Sequence, residues 1–237
     1  MVNAFYPSIL STGIERMALI DFIGPIHRST PRNYIDRVIN YDKAECAKVA
    51  KQFGKDYWDG ERQYGYGGYR YDGRWRPIAE RIAEHYSLQS GDKILDVGCG
   101  KAYLLYELTQ VVPGIVVTGI DISEYGLVNA KDEIKDSLKI ASATDLPFEN
   151  SSFDVVLSLA TLHNLYLNEV LLALKEIERV CSTKRKYIMV ESYRNEVEKV
   201  NLLYWQLTCQ SFFTPDEWRW CFSQANYRGD HGFIYFE

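Results

Sequence analysis

Asp96-Val97-Gly98-Cys99-Gly100 is the stretch of this chain whose residue types and spacing point most directly to chemistry. It ends an apolar run, KILDVG from Lys93 to Gly98, that reads as a buried parallel strand, and a helical stretch from Ala102 to Val111 follows. Glycines let the backbone turn tightly and approach a ligand, and the helix N-terminus behind them presents free N–H groups. A dinucleotide would be held in the same way, but its fingerprint is G-x-G-x-x-G, and Tyr103 stands where the third glycine belongs. Asp96 lies inside the motif, where a carboxylate suits an ammonium or a set of N–H donors and opposes a pyrophosphate. The pattern predicts a cationic ligand and disfavours a nicotinamide-dependent oxidoreductase.

A second carboxylate, Asp121, ends the next strand, VVTGID. At a strand tip it can accept both hydroxyls of a ribose. Its competing role is a helix N-cap, for which Ser123 is equally suited. His163 stands four residues beyond the run Phe153–Leu159, and its ordinary pKa near 6.5 suits a general base. A histidine of the pocket wall bonded to backbone is the plainer alternative. Glu191 closes the run Lys186–Ser192, at the rim where α/β folds bind ligands. There it either holds an acceptor amine or hydroxyl, or pairs with Arg194. Tyr64 to Trp75, YGYGGYRYDGRW, is a turn-rich aromatic loop. Folded over a ligand, Tyr66 and Tyr69 would favour a cation through their ring faces, and Arg70 or Arg74 would bind a carboxylate. Packed on itself, the same loop is an aromatic hairpin.

These residues need elements to hold them. Strand-like runs at Lys93–Gly98, Ile115–Ile122, Leu138–Ala141, Phe153–Leu159 and Lys186–Ser192 alternate with helical stretches at Ala102–Val111, Glu124–Leu138 and Asn168–Val180. Strands separated by helices imply right-handed crossovers and a parallel sheet. Earlier in the chain, helices are expected over Asp42–Phe53, capped by Asp42, and over Arg76–Tyr86. Thr214-Pro215-Asp216-Glu217 is a capping box opening a late helix. Leu202–Phe213 has helical apolar spacing that suits core or a dimer face, and Phe233–Phe236 suits an antiparallel edge strand.

With 46% hydrophobic and 25% charged residues the composition is that of a globular protein, and a formal net charge of −5 disfavours nucleic acid as a partner. Five scattered cysteines without a CxxC pair read as reduced thiols of a cytoplasmic protein, and no metal-ligand spacing occurs. No window has the roughly 18 continuous apolar residues of a membrane span, and Met1–Ile20 does not read as a signal peptide.

Residues 90–195 resemble the S-adenosylmethionine (SAM)-dependent methyltransferases of the Rossmann-like class, in particular the ubiquinone-biosynthesis type. Ile94–Gly100 is similar to the first motif of that class, and Gly119-Ile120-Asp121-Ile122-Ser123 to the second. Leu146-Pro147-Phe148 with Ser152-Phe153-Asp154 resembles its "LPF…SFD" stretch, and Leu174–Val180 its helix before the fifth strand. The resemblance implies a mostly parallel, seven-stranded α/β sheet with helices on both faces over 76–237, behind an N-terminal extension and aromatic lid over 1–75. It implies that Gly98, Cys99 and Gly100 pass under the methionine part of SAM, that Asp96 holds its amino group and that Asp121 binds the ribose. Ser142 and Ala143 would flank the adenine, with Ile122 and Thr144 beside them, and Leu159 to His163 would line the transfer cavity. Tyr204 and Trp205, on the insertion after the fifth strand, would touch the acceptor. Three positions depart from the family pattern: Ala102 replaces a glycine, Ser142 an acid, and Ser182–Lys186 a Pro-Gly-Gly turn.

The expected activity is transfer of a methyl group to an oxygen or nitrogen of a small molecule, because Ala160-Thr161-Leu162-His163 stands where base-amino methyltransferases carry Asn/Asp-Pro-Pro-aromatic. The alternative is a non-catalytic domain that binds SAM or a protein partner.

Overall fold

The apolar runs form one six-stranded sheet in the computed structural model, which describes residues 17–237. Most of Met1–Ile20, and with it the expectation of no signal peptide, lies outside the described residues. The strands are β1 (Lys93–Val97), β2 (Val116–Asp121), β3 (Leu138–Ile140), β4 (Val155–Leu159), β5 (Lys186–Glu191) and β6 (Asp230–Ile234). Their order is β3-β2-β1-β4-β5-β6 and every pairing is parallel. The sheet thus has six strands where seven were expected. The last is parallel to β5 and begins before Phe233, so the expected antiparallel edge at Phe233–Phe236 is not what forms. Two helices, Glu196–Trp205 and Pro215–Gln224, lie between β5 and β6, and such a long connection carries the chain back for a parallel crossover.

Side chains alternate across the strands, and this splits the core into two layers. Ile94, Val117, Val155, Leu157 and Met189 face the helices Arg76–His85 and Tyr103–Val111. Leu95, Val97, Val156, Ile188 and Val190 face the helices Leu167–Val180 and Pro215–Gln224. By the same alternation Asp96, two residues after Ile94, and Glu191, two after Met189, leave the C-terminal ends of β1 and β5 on the first face.

Residues 17–75 run along that face. The Ala18 carbonyl accepts from the His231 amide of β6 at 3.0 Å, the Ile20 amide donates to the His231 carbonyl at 2.8 Å, and Phe22 and Ile23 enter the first core layer. Four short helices follow, over Gly24–Ser29, Asp36–Ile39, Lys43–Ala50 and Lys55–Asp59. As expected, Asp42 caps the third, accepting from the Ala44 and Glu45 amides at 2.9 and 3.1 Å.

Two helical expectations need correction. Glu124–Leu138 breaks into a single turn over Glu124–Val128 and a 3₁₀ segment over Asp132–Ser137. Gly126, Val128 and Asn129 are weak helix formers, and Lys131 between the two pieces is extended. Of Leu202–Phe213, the part up to Trp205 is helical and the rest has no regular structure. The Thr214 capping box forms with both of its reciprocal bonds. No helix among the described residues is long and apolar enough to cross a membrane.

Candidate functional site

The turn after β1 is built from its own backbone. Gly98 and Cys99 donate to the Ile120 carbonyl at 2.8 and 2.9 Å, which fastens the turn to β2. Gly98 has φ +82° and Gly100 φ +57°, and a Cβ on Gly100 would come within 2.6 Å of the Trp58 ring. Both glycines are therefore required by conformation and by close approach. Ala102, the expected departure, takes φ +53° with its methyl group fully buried.

Asp96 stands behind this turn, 4% exposed, and its Oδ1 has no hydrogen-bond partner. Burial, with a smaller contribution from the Asp121 charge, pushes its carboxyl up to about 7. An unpartnered carboxylate oxygen in a protein wall is a group waiting for a donor. Asp121 is differently placed: its Oδ2 accepts from the Gly100 amide at 2.7 Å and its Oδ1 from Ser123 at 2.8 Å. The helix N-cap role falls to Ser123, whose hydroxyl accepts from the Gly126 amide at 2.9 Å. Asp121 thus ties the tip of β2 to the glycine turn.

A cavity of about 580 Å³ opens between this turn and the N-terminal segment. Asp96, Gly98, Cys99 and Gly100 form one wall, with Leu159, Ala160 and Glu191 from the neighbouring strand ends. The opposite wall comes from residues 23–78 and includes Tyr66, Tyr69, Arg70 and Arg74. An ion pair holds the two walls together. Lys101, 3% exposed, donates to both oxygens of Asp59 (2.7 and 2.8 Å) and to the Tyr69 carbonyl (2.7 Å), and Tyr125 donates to Asp59 at 2.9 Å. Trp58 stacks on Tyr66 at 5.2 Å and donates to the Ser123 hydroxyl at 2.8 Å. Tyr69 stacks on Tyr103 at 5.3 Å.

Glu191 and His163 meet in the interior. The Glu191 amide donates to His163 Nδ1 at 3.3 Å, so the ring proton sits on Nε2, 3.4 Å from Glu191 Oε2. Burial lowers His163 to about 3 and raises Glu191 to about 8. Both shifts favour the uncharged pair at neutral pH. Gln206 donates to Glu191 Oε1, and the nearby Arg32 charge moderates the rise. Glu191 lines the cavity and His163 does not; the histidine is the buried support behind it. The alternative pairing of Glu191 with Arg194 does not form, because Arg194 binds Glu198 and Glu237.

The other anticipated residues fall into two groups. Ile122, Ser142, Ala143 and Thr144 lie beyond the tips of β2 and β3, outside the cavity lining, with the Ser142 and Thr144 hydroxyls 2.7 Å apart. Arg74 lines the cavity, but Asp72 takes its charge through contacts of 2.5–2.9 Å, whereas Arg70 is exposed. Trp205 lines the cavity and Tyr204 faces outward. Sequence reasoning missed Trp58, Asp59 and Lys101, and it missed Arg32, Arg37 and Arg62 on the cavity wall. Lys101 did carry a signal, as a charged side chain directly after a ligand-binding turn.

Residues 95–189 match the family model described as "Methyltransferase domain". The chain is 34% identical over 95 residues to 27-O-demethylrifamycin SV methyltransferase of Amycolatopsis mediterranei, covering 37% of this chain and 35% of that protein. It is 33% identical over 129 residues to demethylmenaquinone methyltransferase of Symbiobacterium thermophilum, covering 51% of this chain and 50% of that one. The chain thus spans half the length or less of these curated relatives. Among solved structures, a chain from the complex of the Haloferax volcanii Trm112 methyltransferase activator with a methyltransferase superposes with a TM-score of 0.52 at 26% identity, covering 65% of this chain and 72% of that one.

Proposed function

We propose that this chain, which carries a SAM-dependent methyltransferase domain of the Rossmann-like class, transfers a methyl group to an oxygen or nitrogen of a small molecule held in the cavity beside the glycine turn. The strand order alone is shared with dinucleotide folds and does not separate the cofactors. The observation that carries the proposal is the unpartnered Asp96 oxygen on the wall of the cavity that also holds Glu191.

The residues present fit SAM. Asp96 would take its ammonium, the glycine turn would pass under its methionine part, and the tips of β2 and β3, with Asp121, Ile122, Ser142, Ala143 and Thr144, would take the nucleoside. Bound there, SAM supplies an electrophilic methyl carbon. The protein aligns the acceptor and removes its proton. Glu191 suits that step: it lines the cavity, Gln206 bonds its Oε1 while its Oε2 has no hydrogen-bond partner, and its raised pKa makes its carboxylate a stronger base than an exposed one. The segment 57–75, clasped to the turn by Lys101, would act as the lid that excludes water.

Calorimetric titration with SAM, S-adenosylhomocysteine and NAD tests the cofactor. Both adenosyl ligands are expected to bind and NAD is not. Asp96→Asn is expected to weaken the adenosyl ligands at least tenfold, the size of a buried hydrogen bond to a charged group. Binding of NAD alone would overturn the proposal. In an acceptor screen, Glu191→Gln is expected to lower kcat about 100-fold while leaving S-adenosylhomocysteine affinity unchanged. The wild-type rate is expected to rise with pH towards about 8, as the Glu191 carboxyl ionises; a profile flat through that range would remove Glu191 as the base.

A further inference from the structure

Three guanidinium groups converge on one indole at the cavity wall. Arg37, Arg62 and Arg32 lie 4.6, 5.0 and 5.5 Å from the centroid of the Trp205 ring. All four residues line the cavity. Behind them Lys43 donates to the Tyr204 and Gln206 carbonyls (3.0 and 2.5 Å) that flank Trp205.

None of the three arginines pairs with a carboxylate among the described residues. Arg32 donates to the His27 and Thr30 carbonyls at 2.8 and 3.0 Å, and Arg62 to the Gly65 and Tyr66 carbonyls at 2.8 and 2.9 Å. Arg37 reaches the Arg62 carbonyl at 3.4 Å. The Nε groups of Arg32 and Arg37 are buried and have no partner at all. Many arginines elsewhere in the fold pair with acids, as Arg74 does with Asp72, Arg179 with Glu176 and Arg185 with Asp92, whereas Arg81 donates only to the Asp21 and Phe22 carbonyls. Glu191 is electrostatically coupled to Arg32 alone of the three, and burial raises its carboxyl to about 8, so it offsets the cluster only weakly at neutral pH. Burial, and after it the charge of Arg62, lowers Arg37 to about 10, a sign of positive charges crowded without a counter-ion. One indole cannot compensate for them, since a cation–π contact is weak beside the cost of burying an unpaired charge.

We propose that Arg32, Arg37 and Arg62, with Trp205 as their platform, form a subsite for an anionic group of the methyl acceptor, a carboxylate or a phosphate. This rests on the proposed methyl transfer and narrows its substrate class. Guanidinium forks match the planar carboxylate and the phosphate oxygens in paired hydrogen bonds, and the unpartnered Nε groups are donors available for them. An acceptor fixed at that end places its other end towards the Glu191 side of the same cavity.

The test uses the full chain saturated with S-adenosylhomocysteine, titrated with 4-hydroxybenzoate, phenyl phosphate and the uncharged 4-hydroxybenzamide. The anions are expected to bind at least tenfold more tightly than the amide, and the stronger of the two identifies the group. The double variant Arg37→Gln with Arg62→Gln is expected to lose that preference while keeping its affinity for S-adenosylhomocysteine within twofold. Arg37→Lys with Arg62→Lys, which keeps the charge, is expected to retain part of it and controls for misfolding. Equal binding of amide and anions would overturn the proposal. So would variants that lose S-adenosylhomocysteine instead, which would assign the cluster to the cofactor's carboxylate. Failure of the wild type to bind S-adenosylhomocysteine would instead overturn the methyltransferase function, so the two failures are distinguishable.

Discussion

Asp96 shows how a residue serves function against stability. Its folded-state pKa of about 7 exceeds the ordinary 3.8 because burial penalises the carboxylate. The folded protein keeps this proton between those two values while the unfolded chain releases it, so stability falls as pH rises through that window. Asp96→Asn removes the dependence. The variant is expected to gain stability relative to wild type on going from pH 5 to pH 8, by on the order of 3 kcal/mol, while losing adenosyl-ligand affinity. Urea unfolding at the two pH values measures this, and a gain of equal size at both would show that the carboxyl titrates normally. Asp96 was legible in the sequence because a motif surrounds it. The relation of Glu191 to His163 was less so. The two-residue alternation that sets Glu191 on the same face as Met189 was available, but which of the pair reaches the cavity depends on a turn after β4 that no periodicity encodes. The arginines of the cavity gave no signal, because they lie in a segment without repeating pattern and meet only through tertiary folding.

At the level of elements, the clasp between the glycine turn and the aromatic segment is asymmetric. Lys101 is 4% exposed in its side chain, whereas Asp59 is 24% exposed and has Tyr125 and the Tyr69 amide as further donors. Asp59→Ala leaves a buried ammonium with one carbonyl and is expected to cost about 3 kcal/mol. Lys101→Met leaves a carboxylate that keeps two donors and some water, and is expected to cost less than half as much. Chemical denaturation of the two variants compares them, and equal costs would mean the pair is not buried as a unit. Limited proteolysis within 60–75 should speed up in both variants, since either one frees the segment from the turn. Helices were legible where capping chemistry and apolar spacing agree, as at Thr214 and Asp42. They were misread over Glu124–Leu138, where spacing continued through residues that favour a break.

Over the whole molecule, the alternation of strands and helices gave the parallel α/β class, and the resemblance to a seven-stranded family overstated the strand count by one. The N-terminal segment, expected as an extension and aromatic lid, makes contacts that knit its described part into the same core. Phe22 packs edge-on to Tyr187 of β5 at 4.8 Å, Tyr187 donates to the Ile20 carbonyl at 2.9 Å, and Arg81 donates to the Asp21 and Phe22 carbonyls at 2.8 and 3.1 Å. Further along, Trp58 covers Gly100 and Lys101 grips Asp59. A segment tied at both the β6 edge and the ligand turn has little to gain by unfolding alone, because its apolar residues complete the layer formed by Ile78, Ile82 and Leu104. Unfolding should therefore be one cooperative transition. Tryptophan emission, sensing Trp58 and Trp75 in the segment and Trp218 on the opposite face, should share one urea midpoint with far-ultraviolet circular dichroism. An early emission change that survives Trp218→Phe and vanishes in Trp58→Phe would show instead that the segment opens first. The cavity would then be gated by its unfolding, and added S-adenosylhomocysteine should delay that early step more than the main one.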